Sequence, residues 1–225
     1  MGLKVICYNE VSIDGSVIGF DFHSELFYQI VGEIGAQALL VGSATAVTGI
    51  EMFMGEIPPE KESDFIRPEV KADDKRLLWV LIDSQGVLLE KLQVFRRFEY
   101  CKDVIVFVSE KTPQKYLDYL SSRNYRNHII GTDKVDLKRA VEILENEYSV
   151  HTISVDSGGI LGGALMNAGL VDEIGIIISP HIVGKTGNNL FRNWEKPPVN
   201  VKFKLEKIDR IEDNYVRLLY KVEKQ

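Results

Sequence analysis

Residues 152–169 read TISVDSGGILGGALMNAG, and the run changes character in its middle. Residues 152–155 suit a short buried strand, residues 164–168 suit a helix, and Gly169 stops that helix. Between them stand Gly158, Gly159, Gly162 and Gly163. Glycine lets a backbone approach a ligand closely, and the free amides of a helix start then face an anion. A phosphate or pyrophosphate is the natural guest. The same glycines would also serve a tight strand-to-helix turn with close packing and no ligand, and both readings stand at this point. The spacing is G-G-x-x-G-G rather than G-x-G-x-x-G, with no acidic residue at the end of a second strand about 20 residues later and no G-x-x-x-x-G-K-[ST] loop. A nucleotide site here would therefore belong to another α/β architecture.

Outward from this run, strand and helix signals alternate. Towards the N-terminus, residues 77–82, 104–108 and 128–130 read as buried strands. Thr112-Pro113 signals a helix start running to about Arg123, and Asp136 caps a helix with Leu137, Ala140, Val141 and Leu144 on one side. Residues 173–179 add a further strand. This alternation predicts a largely parallel sheet with helices on its faces. Residues 5–11 form a β-rich run ending at Asp14-Gly15. Ser24 can cap a helix carrying Leu26, Phe27, Ile30, Val31 and Ile34. Residues 38–41 read as another buried strand. Residues 51–74, with three prolines and many charges, read as a long surface loop. Val201, Phe203 and Leu205, then Val216, Leu218 and Tyr220, alternate with polar residues about a turn, which predicts an antiparallel hairpin at a sheet edge.

The whole chain of 225 residues suits one domain or at most two small ones. Its 27 basic and 33 acidic side chains give a net charge of −6, which argues against a general nucleic-acid or membrane-surface binder. Cys7 and Cys101 lie in or beside apolar runs and read as buried thiols. There is no signal-peptide pattern at the N-terminus and no run of about 20 apolar residues, so a cytoplasmic location is expected. His23, His128, His151 and His181 show no metal-ligand spacing, so no metal is expected.

Four separated segments together resemble one family. Residues 11–19, VSIDGSVIG, are like the S-x-D-G segment of the reductase domain of bacterial riboflavin-biosynthesis enzymes, and their D-x-x-V-I-G portion resembles the start of dihydrofolate reductase. Residues 39–45, LLVGSAT, resemble the same family's strand and threonine turn. Residues 81–85, LIDSQ, resemble its strand ending in D-S. The longest match runs from the glycine cluster through Gly169-Leu170-Val171-Asp172-Glu173 to Ser179-Pro180-His181-Ile182-Val183-Gly184. The resemblance implies a single dihydrofolate-reductase-like α/β domain over residues 1–225, with a largely parallel central sheet, flanking helices and a C-terminal antiparallel hairpin. It implies an NADPH-dependent reductase of a small metabolite, similar to 5-amino-6-(5-phosphoribosylamino)uracil reductase, acting as a homodimer in which the edge hairpin can take part.

Carried over by position, Thr45 and Ser84 would hydrogen-bond the cofactor's phosphates or ribose. Ser157, Gly158, Gly159, Ile160, Leu161 and Gly162 would wrap its pyrophosphate and nicotinamide. Ser109 and Thr132 would border the adenosine end. Read without the resemblance, Thr45 is a helix cap and Ser84 a turn residue. Glu25 stands near where dihydrofolate reductase carries its substrate-binding acid, and would protonate or anchor a substrate nitrogen. A carboxylate in a first helical turn also has an ordinary explanation in the helix dipole. Asp14, His23 and Tyr28 would line the substrate mouth, although Asp14 also suits a turn. Arg96-Arg97 read as a solvated face, with Arg96 within reach of a 2′-phosphate. Two departures bear on the substrate. The family's Asp-Asp-Pro segment is replaced by Ala46-Val47-Thr48-Gly49-Ile50, and its glutamate before the paired glycines is Ser157. Of the zinc-deaminase signatures P-C-x-x-C is absent, so the H-x-E triplet at His23-Ser24-Glu25 has no cysteine pair to complete a zinc site. A non-catalytic nucleotide binder on the same scaffold is the alternative reading.

Overall fold

A computed structural model describes residues 2–71, 73–157, 159–188, 190, 201–212 and 214–223. In chain order the elements are β1 (Lys4–Ser12), α1 (Ser24–Glu33), β2 (Ala38–Gly42), α2 (Ser43–Met54), β3 (Leu77–Ile82), α3 (Leu92–Arg96), β4 (Cys101–Val108), α4 (Gln114–Ser122), β5 (Arg126–Ile129), α5 (Leu137–Tyr148), β6 (Thr152–Val155), α6 (Gly159–Asn167), β7 (Glu173–Ser179), β8 (Lys202–Ile211) and β9 (Tyr215–Glu223). They form two compact units, one of Met1–Ala36 with His151–Gln225, the other of Gln37–Val150.

In the continuous unit the strands lie in the order β5-β4-β3-β2 and every pair is parallel. Such strands are covered on both faces and read as unbroken apolar runs. Val80, Leu81 and all five residues from Val104 to Val108 are accordingly buried. Helix α2 corrects the expected long loop: residues 51–54 are helical, with Ala46 and Ile50 buried four residues apart. The irregular segment starts only at Gly55. The helix-start signal at Thr112-Pro113 is displaced by one residue, so that Pro113 is the cap. Thr112 instead serves a turn, its hydroxyl accepting from Ser109 N at 3.0 Å and donating to Ser84 O at 2.8 Å. Asp136 caps α5 as its sequence suggests, accepting from Arg139 N at 3.0 Å.

Arg96 and Arg97 are not a solvated face. The Arg97 guanidinium holds the buried Asp64 carboxylate through Nε, at 2.8 Å from Oδ1, and through Nη2, and donates to Pro59 O at 2.9 Å. Arg96 lies 3.8 Å over the Tyr125 ring and donates to Arg123 O and Asn124 O at 3.0 and 3.2 Å. Arg123 completes the clamp with an ion pair to Glu60 at 3.0 Å. These arginines fasten the proline-rich segment, and Arg97 holds the Asp64 carboxyl below its ordinary value.

In the other unit the order is β6-β1-β7-β9-β8. Strand β1 is parallel to β6 and β7, whereas β9 is antiparallel to β7 and β8, as the alternation in the C-terminal hairpin predicts. Helix α1 buries Leu26, Phe27, Ile30 and Val31 as one stripe. Its cap is His23 rather than Ser24: the ring Nδ1 accepts from Leu26 N at 3.3 Å. Helix α6 begins at Gly159, inside the glycine cluster and earlier than expected. Each glycine in a helix costs about 1 kcal/mol relative to alanine, so the sequence pattern moved the start too far along. Cys7 and Cys101 are free and buried, and burial pushes both thiols up to about 12. The chain is therefore an α/β protein with mostly parallel sheet and C-terminal antiparallel strands.

Candidate active site

Parallel pairing brings the C-terminal ends of β6, β1 and β7 to one side. Cys7 stands opposite Val155, and Ser12 opposite Ser179. The entry to β7 is fixed by Asp172, whose carboxylate accepts from Val5 N at 2.8 Å. The glycine turn, the S-x-D-G turn and the segment after Ser179 thus emerge from neighbouring strand ends.

The S-x-D-G turn is held by its own side chains. Ser12 Oγ donates to Asp14 Oδ1 at 2.6 Å and accepts from Ser16 N at 2.9 Å, and Gly15 has φ +81°. Asp14 also accepts from Val183 N at 3.1 Å and Gly184 N at 2.7 Å. The Ser12 hydroxyl and these two amides hold its carboxyl down at about 2. Two of the sequence motifs are thereby tied together through Asp14, whose oxygens serve loop geometry.

A cluster that the sequence analysis did not single out lies beside this turn. Glu10, only 4% exposed, accepts from His23 N through Oε2 at 2.9 Å. Its Oε1 is buried and has no hydrogen-bond partner among the described residues. Burial raises the Glu10 carboxyl above its ordinary value, outweighing the His23 amide, the Ser179 hydroxyl beside it, and the charges of His23 and His181. Ser179 Oγ is 2.5 Å from His181 Nδ1, and the His181 ring stacks on Phe20 at 5.8 Å. The His23 ring sits edge-on to Tyr215 at 5.5 Å, and its Nε2 is 3.1 Å from Glu212. One signal was available in the sequence: a carboxylate within the β-rich run KVICYNEVS.

On the other flank of β1, Asp156 and Ser157 follow β6. Ser157 is buried, Gly158 lies outside the described residues, and Gly159 opens α6 with φ +39°. The Gly159 amide donates to Leu190 O at 2.5 Å. Leu161 and Gly162 are buried, whereas Ile160 is 62% exposed on the first turn. Burial pushes the half-buried Asp156 carboxyl up from 3.8 to about 7. The folded chain then keeps a proton that the unfolded chain releases above about pH 4. This residue's contribution is full below that pH and falls as pH rises to about 7, by on the order of 2–4 kcal/mol. Asp156→Asn should abolish that fall, so urea titrations at pH 5 and pH 8 should differ less for the variant than for the native chain.

Other expected site residues are placed as follows. His23 belongs to the cluster just described. Glu25 is exposed in the first turn of α1, and Tyr28 is half-buried, edge-on to Phe27 at 5.3 Å. In the continuous unit, Gly42 pairs with Ile82, so Thr45, in the first turn of α2, and Ser84 follow adjacent strand ends. Ser84 Oγ accepts from Val135 N at 3.0 Å. Ser109 is buried against Thr112. Arg96 is spent on the clamp. Among the described residues no group of three or more His, Cys, Asp or Glu could hold a metal ion, and no helix is long and apolar enough to cross a membrane.

Comparison with known proteins gives a consistent result. Residues 3–217 match the RibD C-terminal domain family. A pyrimidine reductase-like protein from Corynebacterium diphtheriae is 16% identical, with a TM-score of 0.70 over 99% of this chain and 93% of that one. The riboflavin biosynthesis reductase Rib7 of Saccharomyces cerevisiae is 17% identical, with a TM-score of 0.64 over 99% of this chain and 90% of that one. RibD of Acinetobacter baumannii is 17% identical, with a TM-score of 0.66 over 99% of this chain but only 59% of that one. At these identities the structural likeness concerns the fold.

Proposed function

From the premise that the chain belongs to the RibD C-terminal domain family, a family of reductases, we propose that it is an NADPH-dependent reductase of a small metabolite. The observation that carries this reading is the glycine-rich start of α6 at the end of β6, beside the buried Glu10–His181 cluster. A nine-residue helix concentrates partial positive charge in its first turn, and with the Gly159 amide taken by Leu190 O the amides that follow it are the ones that suit a pyrophosphate. Ser157, Ile160, Leu161 and Gly162 would border the cofactor there, together with Gly158. Thr45 and Ser84 are the matching positions of the continuous unit. The cofactor supplies the hydride, and the protein orients it and provides a proton. Glu25, Asp14, His23 and Tyr28 are the substrate-side residues of this reading, with Asp14 acting through its loop. The family match spans both units, which supports treating residues 1–225 as one functional domain. Homodimerisation and a cytoplasmic location are carried by the family reading alone.

The test is titration of the purified protein with NADPH and NADH, followed by intrinsic fluorescence and thermal shift. Stabilisation by NADPH is expected, and no shift with either nucleotide up to millimolar concentrations would sink the cofactor reading. Ile160→Glu sharpens it. A carboxylate in a first helical turn stabilises a helix by about 0.3–1 kcal/mol, so folding should not suffer. Against a bound pyrophosphate the same charge is repulsive, and NADPH affinity should fall about tenfold, or ~1.4 kcal/mol. Unchanged affinity would place the pyrophosphate away from α6. Binding without consumption of any acceptor would favour the non-catalytic reading.

A further inference from the structure

Reduction of a C=N or C=O bond by a dihydronicotinamide requires one proton for each hydride, and the cluster at the ends of β1 and β7 is built to supply it. We propose that His181 delivers this proton to the substrate, with Glu10 behind it as a buried proton reserve reached through the Ser179 hydroxyl. The inference rests on the reductase reading and adds the proton path to it.

Three observations converge. Glu10 is buried, and among the described residues Oε1 has no hydrogen-bond partner, while Oε2 is anchored by the His23 amide at 2.9 Å. A buried carboxyl oxygen left unpaired is costly as a carboxylate and tolerable as a neutral acid. Ser179, fully buried, pairs with Ser12, two residues along β1 from Glu10 and so on the same face of that strand, and is 2.5 Å from His181 Nδ1. His181 is half-buried, and the stacked Phe20 ring fixes its plane. The cluster therefore runs from a closed interior to an accessible imidazole, in the order Glu10, Ser179, His181.

The step balances as follows. Bound dihydronicotinamide would supply the hydride to the electrophilic carbon of the substrate and would end as the oxidised nicotinamide. The heteroatom takes the proton from His181 Nε2. Nδ1 takes the Ser179 hydroxyl proton, and Ser179 takes the Glu10 proton. Glu10 is left as the carboxylate until water returns a proton. His23 and Asp21, from the segment leading into α1, and Tyr215 and Glu212, from β9 and its turn, are the other titratable groups around the cluster. Tyr215 is itself raised by burial and by Glu10.

The experiment measures NADPH oxidation with 5-amino-6-(5-phosphoribosylamino)uracil as acceptor, across pH, for the native chain, His181→Gln, Glu10→Gln, Glu10→Asp and Ser179→Ala. NADPH affinity and thermal melts are recorded for each. His181→Gln should lower kcat by roughly 10²–10³-fold at unchanged NADPH affinity, the scale of a lost general acid. In the native chain kcat should fall as pH rises through the titration of Glu10. Glu10→Gln should lose that limb and Glu10→Asp should keep it, a distinction that a merely structural role would not produce. Infrared difference spectra at neutral pH give a readout independent of turnover: a carboxylic-acid C=O band lost in Glu10→Gln and shifted in Ser179→Ala. Native turnover that His181→Gln retains at full rate overturns the relay alone, as does absence of the acid band. Failure of the native chain to oxidise NADPH overturns the assignment to this acceptor, and the relay with it. Failure to bind NADPH at all overturns the reductase reading.

Discussion

Asp83→Ala is expected to destabilise the continuous unit by about 3–5 kcal/mol, since it strands three backbone amides at a cost of roughly 1–3 kcal/mol each, partly relieved by relaxation. Asp83 is fully buried at the end of β3. Its Oδ1 accepts from Gly86 N and Val87 N at 3.0 and 3.1 Å, and its Oδ2 from Leu88 N at 2.9 Å. The carboxylate thus replaces the hydrogen bonds that the chain gives up in turning out of the strand. Ser84 then lies within that turn, its Oγ accepting from Val135 N, so the loss should spread to residues 131–136. Asp83→Asn keeps one oxygen acceptor but turns an N–H towards an amide, and should fall between native and alanine. Urea denaturation of the three proteins checks the order, and an alanine variant as stable as the native protein would remove this account.

Gly175→Ala is expected to cost about 3 kcal/mol through overpacking alone. Gly175 pairs with Tyr8 on β1 and with Leu219 on β9. A Cβ built on it would stand 2.1 Å from both Cδ2 and Cε2 of the Tyr8 ring. That ring is 1% exposed and edge-on to Phe27 at 6.4 Å, so it has no vacant space to move into. A double-mutant cycle isolates the contact. Tyr8→Leu should be destabilising by itself, yet in the Gly175→Ala background it should cost at least about 1 kcal/mol less, because the clash is relieved. Strict additivity would mean that the Cβ meets something other than Tyr8.

These two residues show where sequence reasoning succeeded and where it stopped. The parallel strands were legible because burial on both faces leaves unbroken apolar runs, as in residues 104–108. Helix α5 was legible through its capping Asp136. Helix α2 was missed because Ser43, Thr45, Thr48 and Gly49 dilute the apolar stripe. Helix α6 was started too late because its first turns are glycine-rich. The S-x-D-G and D-S motifs each mark a turn at a strand end, but an aspartate that organises a turn looks in sequence like one that meets a ligand. Asp14 and Asp83 both spend their oxygens on backbone amides. The Glu10, Ser179 and His181 cluster, signalled only by a carboxylate within β1, was missed for another reason. Its members are brought together by the β1–β7 pairing, and no local spacing encodes a contact across some 170 residues of chain. Arg96 and Arg97 misled in the opposite sense, because two adjacent arginines at the end of a short helix resemble a wet surface until Asp64 and Tyr125 are seen beneath them.

The placement of β1 between β6 and β7 has a consequence for how the chain is made. Lys4 finds its partner only at Thr152 and Ser12 only at Ser179, whereas every strand pair among β2, β3, β4 and β5 is encoded within residues 37–150. At a synthesis rate of about 5–20 residues per second, β1 spends on the order of ten seconds on the ribosome without a partner. During that interval the apolar edge of residues 5–8 and the Phe27 face of α1 are open to aggregation or to chaperones. The continuous unit has all its strand partners already synthesised before β6 appears. Birth order thus divides the chain into a segment that can close early and a discontinuous unit that must wait for its far end.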